Sequence, residues 1–356
     1  MPSKVDEIGF LEELVSIPSL SGGEDALAEH LEKGMSALRF RAQRDMVGNV
    51  IGVVGNPNAE REIALVGHMD TVAGLIPVVR KDGLLYGRGA VDAKGALAAF
   101  VLAAARVAPR LRTARVVVVG TVQEEGGGTG ARHLAHTLSS PHFCIIGEPS
   151  GWEGITIGYK GMMSVDYQLT QPSGHGAGSQ PTPAEQAVAF WNRLKSYTEA
   201  RNAGLPGRFD TLDASLQGFV TSTDGLKDRA SMNIALRVPP GFELSSVERA
   251  AETWQGTARL AFRSSYPPIR VGKNTPPVRA LLRAIRAEGG KPRFKLKTGT
   301  SDMNLLGPAW GCPIVAFGPG DSALDHTPDE HIDLDEFRRA VGVLARTLEI
   351  LCVESD

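Results

Sequence analysis

Cysteine is scarce in this chain. There are three in 356 residues, Cys144, Cys312 and Cys352, far apart in sequence. That spacing offers no disulfide framework and no cysteine metal knuckle, and it points to a reducing, cytoplasmic setting. An excess of one charge is also missing. Net charge is −2, with 38 basic against 40 acidic residues and no long basic run, which argues against nucleic acid as a partner. No apolar stretch reaches the length of a membrane span. The opening "MPSKVDEIGFLEELVSIPSL" carries acids too early for a signal peptide. What is present is a 42% apolar, 22% charged composition, ordinary for a globular protein and long enough for two domains.

The apolar pattern alternates between strand and helix. Residues 6–15 and 24–38 have helical spacing, with a start signal at Ser21 in "SGGED". "NVIGVVG" (49–55), "EIALVG" (62–67), "ARVVVVGTV" (114–122), "HFCIIG" (142–147) and "CPIVAFGPG" (312–320) read as strands. The Ala- and Leu-rich run 93–108 reads as a helix packed on a sheet, and 334–353 as a closing helix. This order implies an α/β fold with a mostly parallel sheet covered by helices. From about Lys160 to Arg270 the order changes to β-α-β-β-α-β, the split βαβ arrangement of a ferredoxin-like α+β domain. The expected division is therefore 1–158 and 273–356 for one domain, with 159–272 inserted; "YPPIRVGKNTPP" reads as the return linker.

Polar residues punctuate the strand ends. "ALVGHMDTV" places His68 and Asp70 on one side of an extended chain. "GRGAVDAKGA" places Asp92 before the Ala-rich helix. "VVVVGTVQEEGGGTG" ends in adjacent Glu124 and Glu125, "CIIGEPS" in Glu148, and "GPGDSALDHTPDE" carries His326. Taken singly, each has a commoner reading: a hydrogen-bonded histidine, a helix N-cap, a solvated acidic pair, a turn. Together they form a set of mixed N/O donors at the carboxyl ends of strands, where open α/β sheets bind ligands. Such a set suits two divalent ions, Zn²⁺, Co²⁺ or Mn²⁺. A metal site also accounts for two neighbouring glutamates after a buried strand, where mutual repulsion and desolvation are costly. One can hold an ion while its neighbour serves as general base.

"GHMDTV", "GRGAVDAKG", "EEGGGTGAR", "GEP" and "DHTPDE" resemble, in order and spacing, the M20 family of co-catalytic metallopeptidases and amidohydrolases, over essentially the whole chain. The resemblance implies His68, Asp92 and Glu148 on one ion, with Asp92 bridging, and Glu125 and His326 on the second. It implies Glu124 as general base, Asp70 as the carboxylate flanking His68, and a cis peptide at Asp92–Ala93. "PSGHGAGSQPTPAEQA" resembles the family segment whose histidine, here His175, reaches the partner subunit's site and stabilises the oxyanion; the inserted domain would then be a lid and dimerisation domain. Arg237 matches an arginine that binds a substrate carboxylate or makes a strand-end salt bridge, Gly299 and Thr300 lie in the substrate loop, and Lys160 matches a basic position, structural or substrate-facing.

Within the family, residues 297–332 look most like the subgroup acting on lysine or ornithine bound to LysW, a small acidic amino-group carrier protein of lysine and arginine biosynthesis. The implied reaction hydrolyses the amide between the carrier's terminal glutamate side chain and the amino acid's α-amino group. Arg201, Arg208, Arg229, Lys273 and Arg293 are available for a basic rim facing that carrier. The competing expectation is a deacetylase of N-acetylornithine or N-acetyl-lysine, or a dipeptidase, using the same residues on a free substrate. A non-catalytic metal-binding relative is disfavoured by the presence of Glu124.

Overall fold

A computed structural model describes residues 6–175 and 178–353. The chain forms two compact units: one of residues 1–158, 271–296 and 301–356, the other of residues 159–270 and 297–300.

The first unit is built on a mixed sheet. Its centre is four parallel strands in the order Ala114–Thr121, Arg61–His68, Phe143–Gly147, Ile314–Ala316. Val50–Gly55 and then Arg41–Arg44 extend it antiparallel on one side. The central strands are buried along nearly their whole length, as continuous apolar runs in a doubly covered sheet must be. The Ala-rich helix Lys94–Val107 lies against this sheet, with the closing helix Leu334–Val353 packed on it. Small side chains permit the close approach. A Cβ on Gly147 would come within 2.9 Å of the Phe100 ring.

The second unit is a four-stranded antiparallel sheet, Asp213–Thr223, Lys227–Val238, Gly161–Pro172, Arg259–Tyr266, with helices Pro183–Asn202 and Leu244–Trp254. Burial alternates along Gly161–Pro172 and Lys227–Val238, so one face carries the core. There Tyr167 meets Phe190 with ring centroids 4.9 Å apart. Thr182 and Glu185 form a reciprocal capping box that starts the longer helix, with Pro183 in its first turn.

The α/β class and the split βαβ order are as the sequence implies. Several boundaries differ. The 312–320 strand shortens to Ile314–Ala316, because Pro313 cannot donate to the ladder and glycines 318 and 320 follow. The 266–277 linker instead contains the short strand Ile269–Arg270 and the start of a helix, Pro276–Ala287, whose paired prolines suit a first turn. Among the described residues, no helix is long and apolar enough to cross a membrane.

Candidate metal centre

Every residue of the expected metal set lies in the first unit. His68 is the last residue of its strand; Glu124 and Glu125 follow Ala114–Thr121 by one turn; Glu148 directly follows Phe143–Gly147. The Asp92–Ala93 peptide is cis, as the family resemblance implies. Two positions next to or within the set are non-glycine residues in the left-handed region, Gln123 (φ 56°) and His326 (φ 62°). Such backbone costs about 1–3 kcal/mol and persists where surroundings over-determine it, often at functional sites.

The two oxygens of Asp92 diverge. Oδ1 lies 3.1 Å from His68 Nε2 and Oδ2 lies 3.1 Å from His326 Nε2. His326 Nε2 also lies 2.7 Å from Glu125 Oε1. Ligand atoms about 2.0–2.2 Å from a shared tetrahedral ion are separated by roughly 3.3–3.6 Å, so these spacings are close to the edges of two coordination shells. Two triads have donor atoms within 4.8 Å of one another: Asp92, Glu125 and His326, and His68, Glu124 and Glu125. Glu148 is buried and its charge acts on Glu124, but it falls outside both triads.

Asp70 organises the site. His68 Nδ1 donates to the Asp70 main-chain oxygen (2.9 Å) and lies 3.4 Å from Asp70 Oδ1. That contact orients the ring with Nε2 toward Asp92. The amides of Glu124 and Glu125 donate to Asp70 Oδ1 and Oδ2, each at 3.0 Å, and Ser21 Oγ donates to Oδ2 at 2.5 Å. The Gln123 amide donates to buried Glu24 Oε1 (3.0 Å). Three consecutive amides are thus gripped by two buried carboxylates.

The electrostatics ask for cations. Burial raises the Glu124 pKa well above the usual carboxylate range, and the charges of Glu148, Asp302 and Glu125 add to this while His68 opposes it. Burial pushes Asp302 up to about 6. Asp92 is driven the other way: burial opposes its ionisation, yet His326 and His68 hold it well below its ordinary value. His326 is pushed up to about 10 by Asp92 and Glu125. Burial disfavours charge on His68, but Asp70, Asp92 and Glu124 still raise its pKa well above that of free imidazole. The carboxylates therefore draw protons onto both imidazoles. Among the described residues, no lysine or arginine forms an ion pair with Asp92, Glu124 or Glu125. Divalent ions would satisfy the same lone pairs, so the donor set fits two of them.

The other expected site residues lie in the second unit. Arg237 Nη1 donates to Thr300 Oγ1 at 3.4 Å, and the Cβ position of Gly299 faces open space. Lys160 is fully buried, donating through Nζ to Asp213 Oδ2 (2.6 Å) and Thr211 Oγ1 (3.1 Å). His175 is exposed, and its carbonyl accepts from the Gly178 amide; Gly176 and Ala177 of its motif lie outside the described residues. Of the basic residues suggested for a rim, Arg229 pairs with Asp224, while Arg201 and Lys273 lie over the rings of Phe242 and Phe294. The residue-by-residue reading gave no role to Asp302, Glu24 or Glu330, although each stands inside a stretch that it used: the 297–332 segment, "SGGED" and "DHTPDE".

Residues 64–350 match the family model described as peptidase family M20/M25/M40. A relative named LysW-lysine hydrolase, from Deinococcus radiodurans, is 43% identical over 95% of this chain and 95% of its own. The LysW-lysine/LysW-ornithine hydrolase of Sulfurisphaera tokodaii is 29% identical over 99% of this chain and 96% of its own. Among solved structures, an M20 family metallo-carboxypeptidase from Sulfolobus solfataricus superposes with a TM-score of 0.80 at 18% identity, covering 99% of this chain and 100% of the other. That likeness is one of fold.

Proposed function

Since the chain belongs to the M20/M25/M40 peptidase family, we propose that it is a metal-dependent amide hydrolase releasing L-lysine, or L-ornithine, from the acidic carrier protein LysW. The substrate rests on the 43% identical relative of that name. The observation that carries the chemistry is Asp92, whose two oxygens each face a different histidine at 3.1 Å.

His68, Asp92, Glu125 and His326 would hold two divalent ions, zinc or cobalt, with Glu148 completing the set. When bound, the ions would polarise the scissile carbonyl and acidify an attacking water. Glu124 is the general base. Burial favours its protonated form, which lets it hold the proton between removal from the water and delivery to the leaving group. Its carboxylate takes the water's proton and returns it to the leaving α-amine. Asp70 keeps the His68 ring oriented and fixes the Glu124 backbone through the amide hydrogen bond.

In this reading His175 of a second copy donates to the developing oxyanion, a role worth several kcal/mol where such donors have been removed. Arg237 and the Gly299–Thr300 segment receive the amino acid's carboxylate. Homodimerisation is supported by the strand Asp213–Thr223. It lies at the edge of its sheet and is exposed along most of its length, with Phe219 and Val220 outward. An uncovered apolar edge of that kind invites pairing with another strand. The enzyme would act in the cytoplasm, in lysine and, with ornithine, arginine biosynthesis.

Hydrolysis of purified LysW-lysine and LysW-ornithine, beside N-acetylornithine and N-acetyl-lysine, tests this with Zn²⁺ or Co²⁺ supplied. Preference for the carrier conjugates is expected. Turnover of the acetylated amino acids alone would retain the metal chemistry and refute the carrier.

A further inference from the structure

Glu330 has none of the roles assigned above, yet it is completely buried and all of its oxygens are engaged. Oε1 accepts from the amides of Val91 (3.0 Å) and Asp92 (3.1 Å). Oε2 accepts from Arg88 Nη1 (2.7 Å), and the Glu330 carbonyl accepts from the Gly87 amide (3.2 Å). The stretch 87–92 is therefore stitched to one residue 238 positions away from Asp92. That residue lies four positions after His326, whose left-handed backbone directs the second histidine.

We propose that Glu330 is a positioning residue that fixes Asp92 between the two ions. The proposal rests on the metal-centre reading above. Its physical basis is the divergence of the Asp92 oxygens. Rotation about the side-chain bonds can correct one of the two 3.1 Å approaches to histidine only by changing the other. Serving both requires the Asp92 backbone itself to be fixed, and its amide is held by Glu330 Oε1. Because Glu330 also ends the loop that carries His326, one carboxylate ties together the two segments that must meet at the second ion. Outer partners of metal ligands commonly govern affinity by 10–100-fold.

The competing account is a buried ion pair with Arg88 that serves stability alone. The two separate by substitution. Arg88→Met removes the ion pair and leaves both amide acceptors. Glu330→Gln keeps an acceptor oxygen. Glu330→Ala removes every side-chain contact and leaves the carbonyl that Gly87 donates to, and Glu330→Asp withdraws the acceptor by one methylene. Each purified full-length protein is stripped of metal and titrated with Co²⁺, following calorimetric stoichiometry and the visible spectrum.

Wild type is expected to bind two ions. Arg88→Met and Glu330→Gln should bind both within a few-fold of wild type, even if their melting temperatures fall. Glu330→Ala should bind about 10–100-fold more weakly with an altered spectrum. If the alanine variant does not fold, Glu330→Asp must still weaken binding more than Arg88→Met does. Wild-type affinity and spectrum in a folded Glu330→Ala or Glu330→Asp protein would overturn the proposal, as would equal weakening by Arg88→Met. Failure of the wild type to bind ions would instead refute the metal centre itself.

Discussion

Metal loading should be steeply pH-dependent, because the ions compete with protons for the same two imidazoles. In the metal-free protein His326 has its pKa pushed up to about 10 by Asp92 and Glu125, and His68 is raised well above an ordinary imidazole. At neutral pH the His326 ring carries a second proton, and the carboxylates around His68 favour the same on that ring. An ion that takes the Nε2 lone pair must expel that proton, so the logarithm of its affinity rises by about one per pH unit until the ring titrates. Between pH 6 and pH 8 the affinity of the ion held by His326 should rise by about 100-fold. The ion held by His68 should show a dependence of the same sign.

Calorimetric titration in buffers of different ionisation heat counts the protons directly. At pH 7 we expect about one proton released with the ion held by His326, and further release where His68 or Glu124, whose pKa values are also raised, gives up a proton. Stability of the metal-free protein supplies a second check. A folded-state pKa raised above the unfolded value of about 6.5 stabilises below that value, and the gain is lost as pH rises toward about 10. The stripped protein should therefore lose stability on alkalinisation across that window, and the loaded protein should not show this loss. Tight binding of two ions with no proton release at pH 7 would refute the reasoning, since the histidines would then already present free lone pairs.

Glu124→Gln should keep fold and metal content and lose about 10²–10⁴ in turnover, the usual range for a positioned general base; steady-state rates together with metal analysis check this. Asp70→Ala removes the acceptors of two part-buried amides, those of Glu124 and Glu125. At about 1–3 kcal/mol for each unsatisfied group, the loss is about 2–6 kcal/mol, a large share of a typical domain's stability. Denaturant unfolding of the metal-free protein measures it, and a loss under about 1 kcal/mol would mean that water replaces the carboxylate.

The parts of this molecule that the sequence reveals are those written in side-chain chemistry. The doubly buried strands read as unbroken apolar runs, the Ala-rich helix as a tightly packed one, and the donors as polar residues just past strand ends. The strand Arg41–Arg44 has no such signature, because an edge strand with mostly exposed side chains needs no apolar code. The hairpin Val79–Lys81 to Leu84–Tyr86 did carry one: Asp82–Gly83, both at positive φ, is the dipeptide that a two-residue turn prefers.

The harder omission concerns what holds the turns of the candidate metal centre in place. Glu24, Asp70 and Glu330 accept hydrogen bonds from the amides of Gln123, Glu124, Glu125, Val91 and Asp92. An amide is the same at every non-proline position, so the gripped residue leaves no mark in the sequence, and the gripping carboxylate lies 54 to 239 positions away. Those contacts also explain how acidic groups that repel one another stay convergent before any ion arrives. The turns are fixed through their backbones, where the repulsion between side chains has little leverage. A site built in this way should bind its ions without first having to fold around them, which is the condition under which proton competition alone sets the pH dependence of loading.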